Sequence, residues 1–319
     1  MFFGSDRFFI RFNSGCACQD LECILINYMP LNRKTLTNLK IAIVGDCHGQ
    51  WSLMDIKVLY IAKPDVVLFV GDISDGNIKT IKLVNSIEIP TFVFLGNHDR
   101  GKDHSGETLK KQIRILKEKF CGWDLKIFDN KINIIAGRPC SSGGGYFLSK
   151  EILNIYGPVT EFDSADRIIK SSKKADEGLP LVMLAHSGPV GLGSEPNSIC
   201  GKDWKSPACD WGDRDLAIAL NEIQKERFVA LVVFGHMHHK LKSNLGFREM
   251  FKLDKRGTAY LNAAIVPRYK KKELDDKLFT TFSWVEFNDQ KLTRVSQRWY
   301  TDEGHLHEEN KLFDSKAKV

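Results

Sequence analysis

The sequence predicts a layered α/β fold, and two observations lead to this class. From Leu39 onward, short runs rich in β-branched residues alternate with segments of helical periodicity. Further strand-like runs then close the chain, so strands bracket the alternating region. No internal repeat, low-complexity tract or linker rich in Pro, Gly and Ser divides the chain, and we expect one domain.

The alternating region predicts six strands and five helices. The strands are expected at 40–44, 66–70, 91–95, 132–136, 181–185 and 229–234. The helices are expected at 53–62, 78–86, 108–120, 161–173 and 213–226. Segments 258–265, 280–287 and 292–300 are expected to form three antiparallel strands, with Asn288, Asp289 and Gln290 as a hairpin turn.

The predicted domain spans residues 39–305. Residues 1–38 carry several phenylalanines but lack the continuous apolar core of a secretory signal. They are an N-terminal extension of uncertain role, for which a targeting segment, an accessory strand and a start near Met29 all remain open. Residues 306–319 are expected to be a polar tail.

Composition excludes several function classes. No apolar run of the 319-residue chain is long enough to span a bilayer. The net charge is +6, but positive and negative residues are interleaved along most of the chain. The one short basic run, at 268–272, is expected to be a solvated loop. Nucleic-acid binding is therefore not favoured.

Cysteine usage indicates a reducing compartment. The eight cysteines have neither zinc-ribbon nor disulfide-framework spacing, and Cys16, Cys18 and Cys23 are expected to be free thiols. We therefore expect a cytoplasmic protein, or a plastid-stromal one if residues 1–38 are a targeting segment.

Polar, metal-competent residues follow nearly every predicted core strand. The segments are 45–49 (GDCHG), 71–72 (GD), 96–99 (GNHD), 186–188 (HSG) and 235–238 (GHMH). Open α/β sheets place their sites at the carboxyl ends of strands, so these residues are expected to gather on one rim. Any one segment alone is weak evidence, because such short motifs arise by chance. Five in order, each at a predicted strand end, indicate a metal site.

The five segments resemble the motifs of the calcineurin-like metallophosphoesterase superfamily, D-x-H, G-D, G-N-H-D/E, H and G-H-x-H, over residues 41–238. Stretches 46–51 and 262–268 look closest to an uncharacterised phosphoesterase subgroup of photosynthetic lineages. The resemblance implies a four-layer α/β/β/α sandwich, in which two mixed sheets pack face to face with helices outside.

The resemblance also implies a ligand set for two metals. Asp46, His48 and His238 would hold the first metal, Asp72 would bridge, and Asn97, His186 and His236 would hold the second. Mixed imidazole and carboxylate ligation favours Mn, Fe, Zn or Co over Mg or Ca, and the sequence does not choose among these four.

The implied reaction is hydrolysis of a phosphate mono- or diester by in-line attack of a metal-bridging hydroxide. His98 would protonate the leaving group, with a bond from His98 to a ligand as the alternative role, and Asp99 would orient or charge its imidazole. Asp75 extends the second motif, and Arg100 is either a phosphate ligand or a solvated loop residue.

The substrate that the resemblance implies is a phosphorylated small molecule or a nucleotide, and the oligomeric state stays open. Selectivity is expected to depend on two glycine- and aromatic-containing loops at 138–146 and 187–213. Two rival functions are a nuclease of the same superfamily and a non-catalytic interaction scaffold. The diffuse charge argues against the first, and the intact ligand set with His98 argues against the second.

Overall fold

The computed structural model describes residues 38–242, 246–271 and 277–317. The strands are β1 (Asn38–Val44), β2 (Val66–Val70), β3 (Thr91–Phe94), β4 (Phe120–Cys121), β5 (Leu125–Phe128), β6 (Ile132–Ala136), β7 (Leu181–Leu184), β8 (Val229–Phe234), β9 (Phe251–Leu253), β10 (Ala259–Asn262), β11 (Tyr269–Lys271), β12 (Leu278–Asn288), β13 (Lys291–Thr301) and β14 (Leu306–Asp314). The helices are α1 (Leu53–Ala62), α2 (Ile78–Asn85), α3 (Glu107–Leu116), α4 (Lys150–Tyr156), α5 (Glu161–Ser172) and α6 (Arg214–Glu226), and Lys117–Lys119 adds a 3₁₀ turn.

The strands form two mixed sheets. The eight-stranded sheet has the order β14-β13-β12-β1-β2-β3-β4, with β11 paired to β12. In it, β1 to β4 are parallel, and β12, β13 and β14 pair antiparallel. The six-stranded sheet has the order β5-β6-β7-β8-β10-β9, with four parallel strands between antiparallel edges.

Alternation along the strands produces the layers. Ile41 and Ile43 of β1 belong to a buried cluster that also contains Val182 of β7 and Val233 of β8, so this cluster joins the two sheets. The residues of β1 and β2 that point to the other face belong to a second buried cluster, which contains Val58 of α1 and Ile81 of α2. Helical residues that pack on the second sheet, such as Ile168 of α5 and Leu216 of α6, belong to the same cluster. The predicted four-layer α/β/β/α architecture is confirmed.

Two predictions about the end of the chain were wrong in detail. The segment around 258–265 does form a strand, β10, but it pairs parallel to β8 in the second sheet rather than with β12 and β13. The expected polar tail at 306–319 contains β14, which pairs antiparallel with β13 over most of its length. Its charged side chains suit an edge strand, because charge there discourages pairing with other chains.

Other elements refine the prediction. The hairpin turn lies between β12 and β13, where Asp289 and Gln290 both have positive φ angles, as a type I′ turn requires. Helix α4 and strands β4, β5, β9 and β11 were not predicted. The expected solvated loop begins instead with a buried residue, Arg268, whose guanidinium lies 3.3 Å from the buried Asp55 carboxylate.

No helix among the described residues is long and apolar enough to cross a membrane. The predictions for the N-terminal extension, including its three cysteines, concern residues that lie outside the described ranges, apart from Asn38 at the start of β1.

Candidate metal centre

The predicted ligands follow strands of both sheets and converge at one rim. Asp46 and His48 follow β1, Asp72 follows β2, Asn97 follows β3, His186 follows β7, and His236 and His238 follow β8. These strands are parallel within each sheet, so their carboxyl ends meet at a common edge.

The first donor cluster contains Asp46, His48 and His238, whose ligand-competent atoms all lie within 4.8 Å of one another. The two imidazole Nε2 atoms of His48 and His238 are 3.2 Å apart, and Nε2 of His238 lies 3.7 Å from Asp46 Oδ1. The structure thus brings together the three residues assigned to the first metal.

The second donor cluster contains Asp72, His186 and His236, again within 4.8 Å of one another. Nε2 of His186 lies 3.3 Å from Asp72 Oδ2 and 3.0 Å from the amide oxygen of Asn97. All four residues that the resemblance places around the second metal, counting the bridging Asp72, therefore face one another.

Backbone bonds couple the two clusters. The amide N–H of His48 donates to the carbonyl of Asp72 at 2.8 Å, and that of His236 donates to Asp46 Oδ1 at 3.0 Å. Asp46, His48, Asp72 and His236 all have positive φ angles, between 46° and 68°. Such angles are uncommon outside glycine and cluster at functional sites. Asp46 and His48 therefore lie in a left-handed turn and not in extended backbone.

Two glycines are required by the close approach of the ligands. A Cβ added to Gly71, which has a φ of +106°, would lie 2.5 Å from Nδ1 of His186. A Cβ added to Gly235 would lie 2.2 Å from Asp46 Oδ2. Any larger residue at either position would displace a donor atom.

Hydrogen bonds aim the Nε2 atoms of two imidazoles at the clusters. Nδ1 of His186 bonds to the carbonyl of Val70 at 2.9 Å, which requires the proton on Nδ1 and leaves Nε2 to face Asp72. Nδ1 of His48 lies 3.0 Å from Asp75 Oδ1, which has the same effect on His48.

The charges of the centre call for a cation. Burial raises the pKa of Asp46 to about 7, with the neighbouring Asp72 adding to the effect. Burial lowers the pKa of His236 to about 3 and that of His238 to about 4, so both imidazoles are neutral near pH 7. Burial would also lower the pKa of His186, but the carboxylates of Asp72 and Asp46 raise it to about 10. The protonated His186 therefore supplies the positive charge next to the two buried carboxylates, Asp46 and Asp72.

The donor chemistry therefore fits transition-metal ions. Neutral imidazoles with an available Nε2, buried carboxylates and an amide oxygen are the mixed ligands that Mn, Fe, Zn and Co accept. Binding would release the His186 proton, because a metal ligand must be deprotonated. The seven predicted donors are all in reach of the two clusters.

His98 lies at the edge of the centre with its side chain 55% exposed. Its Nε2 is 4.0 Å from Asp72 Oδ2, and its Nδ1 is 3.9 Å from Asp75 Oδ1. The carboxylate that faces Nδ1 of the His98 imidazole is therefore that of Asp75, which extends the second motif, and not that of Asp99. The G-D-x-x-D spacing after β2 was the available signal.

Asp99 does not have the orientation that was predicted for it. Its fully buried carboxylate accepts N–H bonds from Ile73 at 3.0 Å, Ser74 at 2.7 Å and Gly96 at 2.9 Å. Burial raises the pKa of Asp99, and the Asp72 charge adds to this. Its carboxylate ties the loop after β2 to the loop after β3, so it holds the ligand segments in place instead of orienting the His98 ring.

A cleft of about 520 Å³ opens over the centre and is lined by His48, Asp72, His98, His236 and His238 together with residues of the two predicted selectivity loops. These loops pack on each other. The N–H of Gly144 donates to the carbonyl of Trp211 at 2.7 Å, and the Trp211 indole N–H donates to the carbonyl of Ser142 at 3.0 Å.

A buried ion cluster anchors the same loops. Arg138 lies 2.9 Å from Asp213 Oδ1 and 2.9 Å from Asp215 Oδ2, and all three residues are almost fully buried. One guanidinium cannot neutralise two carboxylates. Burial raises the pKa of Asp213 to about 7, against the attraction of Arg138 and with the repulsion of Asp215.

The chain matches the family model for the calcineurin-like phosphoesterases over residues 39–240. The protein therefore belongs to the calcineurin-like phosphoesterase family, whose members are metal-dependent hydrolases of phosphate esters. No curated protein matched the sequence.

Several solved structures are similar to the chain at low identity. A dimetal phosphatase from Danio rerio is 10% identical with a TM-score of 0.48, covering 87% of this chain and 99% of its own. The protein TT1561 of Thermus thermophilus is 9% identical with a TM-score of 0.48, covering 79% and 98%. The calcineurin-like phosphoesterase YfkN from Bacillus subtilis is 14% identical with a TM-score of 0.43, covering 86% and 94%.

Proposed function

We propose that the protein is a binuclear metal-dependent phosphoesterase that hydrolyses a phosphate mono- or diester. The observation that carries the proposal is the convergence of two donor clusters at one rim, beside an imidazole that reaches into the same cleft. Asp46, His48 and His238 would hold one cation, Asn97, His186 and His236 the other, and Asp72 would bridge them.

Two bound cations supply Lewis-acid activation of water and neutralise charge on phosphoryl oxygens during an in-line displacement. The protein side chains supply the rest. Nδ1–H bonds hold His48 and His186 so that Nε2 of each faces its cluster. Asp99 fixes the two loops that carry Asp72 and Asn97.

His98 is the proposed general acid. Its exposed ring lines the cleft, and its Nε2 lies 4.0 Å from Oδ2 of Asp72, the proposed bridging ligand. The carboxylate of Asp75 faces the other ring nitrogen, with Oδ1 3.9 Å from Nδ1. A general acid of this kind contributes about 10² to 10⁴ in rate.

Each of the two rival functions makes a prediction that differs from those of a small-molecule phosphoesterase. A nuclease would need a continuous basic strip beside the clusters and would lose affinity steeply with salt. A scaffold would bind its partner with or without His98. A hydrolase would use the exposed imidazole of His98, next to the Asp75 carboxylate, to protonate the leaving group, whereas a scaffold has no use for it.

The test is hydrolysis by metal-reconstituted protein of an alkyl phosphomonoester, a phosphodiester and a nucleotide pyrophosphate, with His98→Asn as the variant. We expect wild type to turn over at least one substrate and His98→Asn to lose about 100-fold or more in kcat while its metal content is unchanged. If wild type binds the metals and hydrolyses none of the three, the proposal is wrong.

A further inference from the structure

One wall of the cleft over the metal centre is aromatic and basic. Trp204, Trp211, Lys240 and Lys242 line the same cleft as the ligand histidines. The two indole rings meet edge to face, with centroids 5.0 Å apart and an interplanar angle of 80°. Trp204 is 40% exposed, so it offers ring surface to whatever enters the cleft.

Hydrogen bonds to the backbone of the 138–146 loop hold Trp211 in place. Its ring N–H donates to Ser142, and its carbonyl accepts from Gly144, at the distances given above. A Cβ added to Gly144 would lie 2.6 Å from the Trp211 ring, so the glycine run is what admits this contact. Trp211 is therefore a rigid support for the ring of Trp204.

The segment that carries Trp204 is tied to the metal-binding segment. The neighbouring Asp203 lies 3.1 Å from the Arg248 guanidinium and accepts the backbone N–H of Lys242 at 2.7 Å. Nε of the buried Arg248 donates in turn to the carbonyl of His238 at 3.0 Å. The position of Trp204 relative to the proposed metal ligand His238 is thus set by charged hydrogen bonds, which preorganises this wall of the cleft.

Charge next to the rings selects the type of ligand. Nζ of Lys242 lies 5.7 Å from the centroid of Trp204, and Nζ of Lys202 lies 5.5 Å from that of Trp211. These ammonium groups repel a cationic headgroup such as choline, which aromatic walls otherwise attract. They favour an anion that also carries a flat ring, and a plain sugar phosphate has no such ring.

We propose that the substrate is a nucleotide, with its base stacked on Trp204 and its phosphate directed to the metal ligands. This inference rests on the proposed phosphoesterase function of the same site. Lys240 and Lys242 lie in the cleft where they can pair with phosphate oxygens not held by the metals. The cleft volume of about 520 Å³ lies within the range usual for small-molecule sites.

The experiment compares phosphate esters with and without a base. Adenosine 5′-monophosphate is compared with ribose 5-phosphate, which lacks the base. The diester p-nitrophenyl thymidine 5′-phosphate is compared with methyl p-nitrophenyl phosphate, which lacks the nucleoside and keeps the p-nitrophenyl ring. Stacking of a base on an aromatic ring corresponds to a factor of between about 5 and 150 in affinity. We expect kcat/KM of the metal-loaded wild type to favour the nucleotide of at least one pair by a factor in this range.

Trp204→Ala should lower kcat/KM for the nucleotide more than for its base-free partner and so remove the preference, and Trp204→Phe should retain part of it. The matched control is Phe162→Ala, which removes an exposed aromatic ring from α5, outside the cleft. Where neither ligand is hydrolysed, calorimetric titration with adenosine 5′-O-thiomonophosphate and with ribose 5-phosphate, the base-free ligand, measures the same preference as a difference in affinity.

The outcomes separate the two proposals. If base-free substrates are hydrolysed as efficiently as nucleotides, or Trp204→Ala lowers both equally, the nucleotide inference is overturned and the phosphoesterase function stands. If no substrate is hydrolysed, the proposed function fails, and calorimetry alone decides the nucleotide site. Equal affinity for the thiomonophosphate and ribose 5-phosphate would then overturn it.

Discussion

Replacing Asp75 by Asn removes one negative charge from the edge of the candidate metal centre and keeps the shape of the side chain. Asp75 faces two imidazoles, with Oδ1 3.0 Å from Nδ1 of His48 and 3.9 Å from Nδ1 of His98. If His98 is the general acid, the carboxylate attracts the positive charge that the ring carries before it gives up its proton. The substitution should therefore slow those reactions in which the leaving group needs a proton.

The magnitude follows from the distance and the exposure. At 3.9 Å the attraction of opposite unit charges is about 4 kcal/mol at an effective dielectric of about 20 and about 1 kcal/mol in water-like surroundings. The side chains of His98 and Asp75 are 55% and 43% exposed, so the lower figure applies. We expect kcat for an alkyl phosphate to fall by up to about 5-fold.

The assay compares an alkyl phosphate with p-nitrophenyl phosphate at saturating metal. The p-nitrophenolate group leaves without protonation, so its kcat should fall less than about twofold. Saturating metal is needed because Asp75 also orients His48, and loss of such a partner lowers metal affinity by about 10-fold to 100-fold. Asp302→Asn, in the exposed turn before β14, is the matched control. An equal loss on both substrates would refute the claim that Asp75 acts through His98.

Two further predictions concern metal binding and stability. Gly235→Ala places a methyl group on Asp46 Oδ2 and should lower metal affinity by at least about 10-fold, measured by competition with a chelator. Gly137→Ala, whose added Cβ meets only ordinary contacts, should have no such effect. Because the pKa of Asp213 is raised to about 7, folding of wild type should weaken as pH rises from about 4 to about 7. Asp213→Asn keeps an acceptor for Arg138 and should gain melting temperature relative to wild type between about pH 5 and pH 8; a pH-independent difference would contradict this assignment.

The sequence was sufficient to locate the strands that carry the centre, because each is a short apolar run that ends in a polar motif. It was not sufficient to assign every strand to a sheet. The segments that form β10 and β12 were both predicted as strands, yet one pairs with β8 and the other with β1. That choice depends on long-range packing that composition does not record.

The prediction that Asp99 orients the His98 ring was wrong for a similar reason. Asp99 is next to His98 in sequence, but its backbone position turns it inward, where three N–H groups bind it. Asp75 is more than twenty residues away and reaches His98 only because its own φ of +48° turns the loop after β2 toward the rim. Aspartate is enriched among left-handed residues other than glycine, but the sequence does not tell which aspartates adopt this conformation.

The central claim is that this rim holds two cations bridged by Asp72, and metal stoichiometry measured together with hydrolysis tests it most directly. Purified protein from which a chelator has removed the metals should regain activity as Mn, Fe, Zn or Co is added. Full activity should coincide with about two ions per chain, measured by inductively coupled plasma mass spectrometry. Asp72→Asn should bind fewer than two ions and lose most of its turnover. Full activity with one ion or none, or an Asp72→Asn variant that keeps both ions and its activity, would contradict the account.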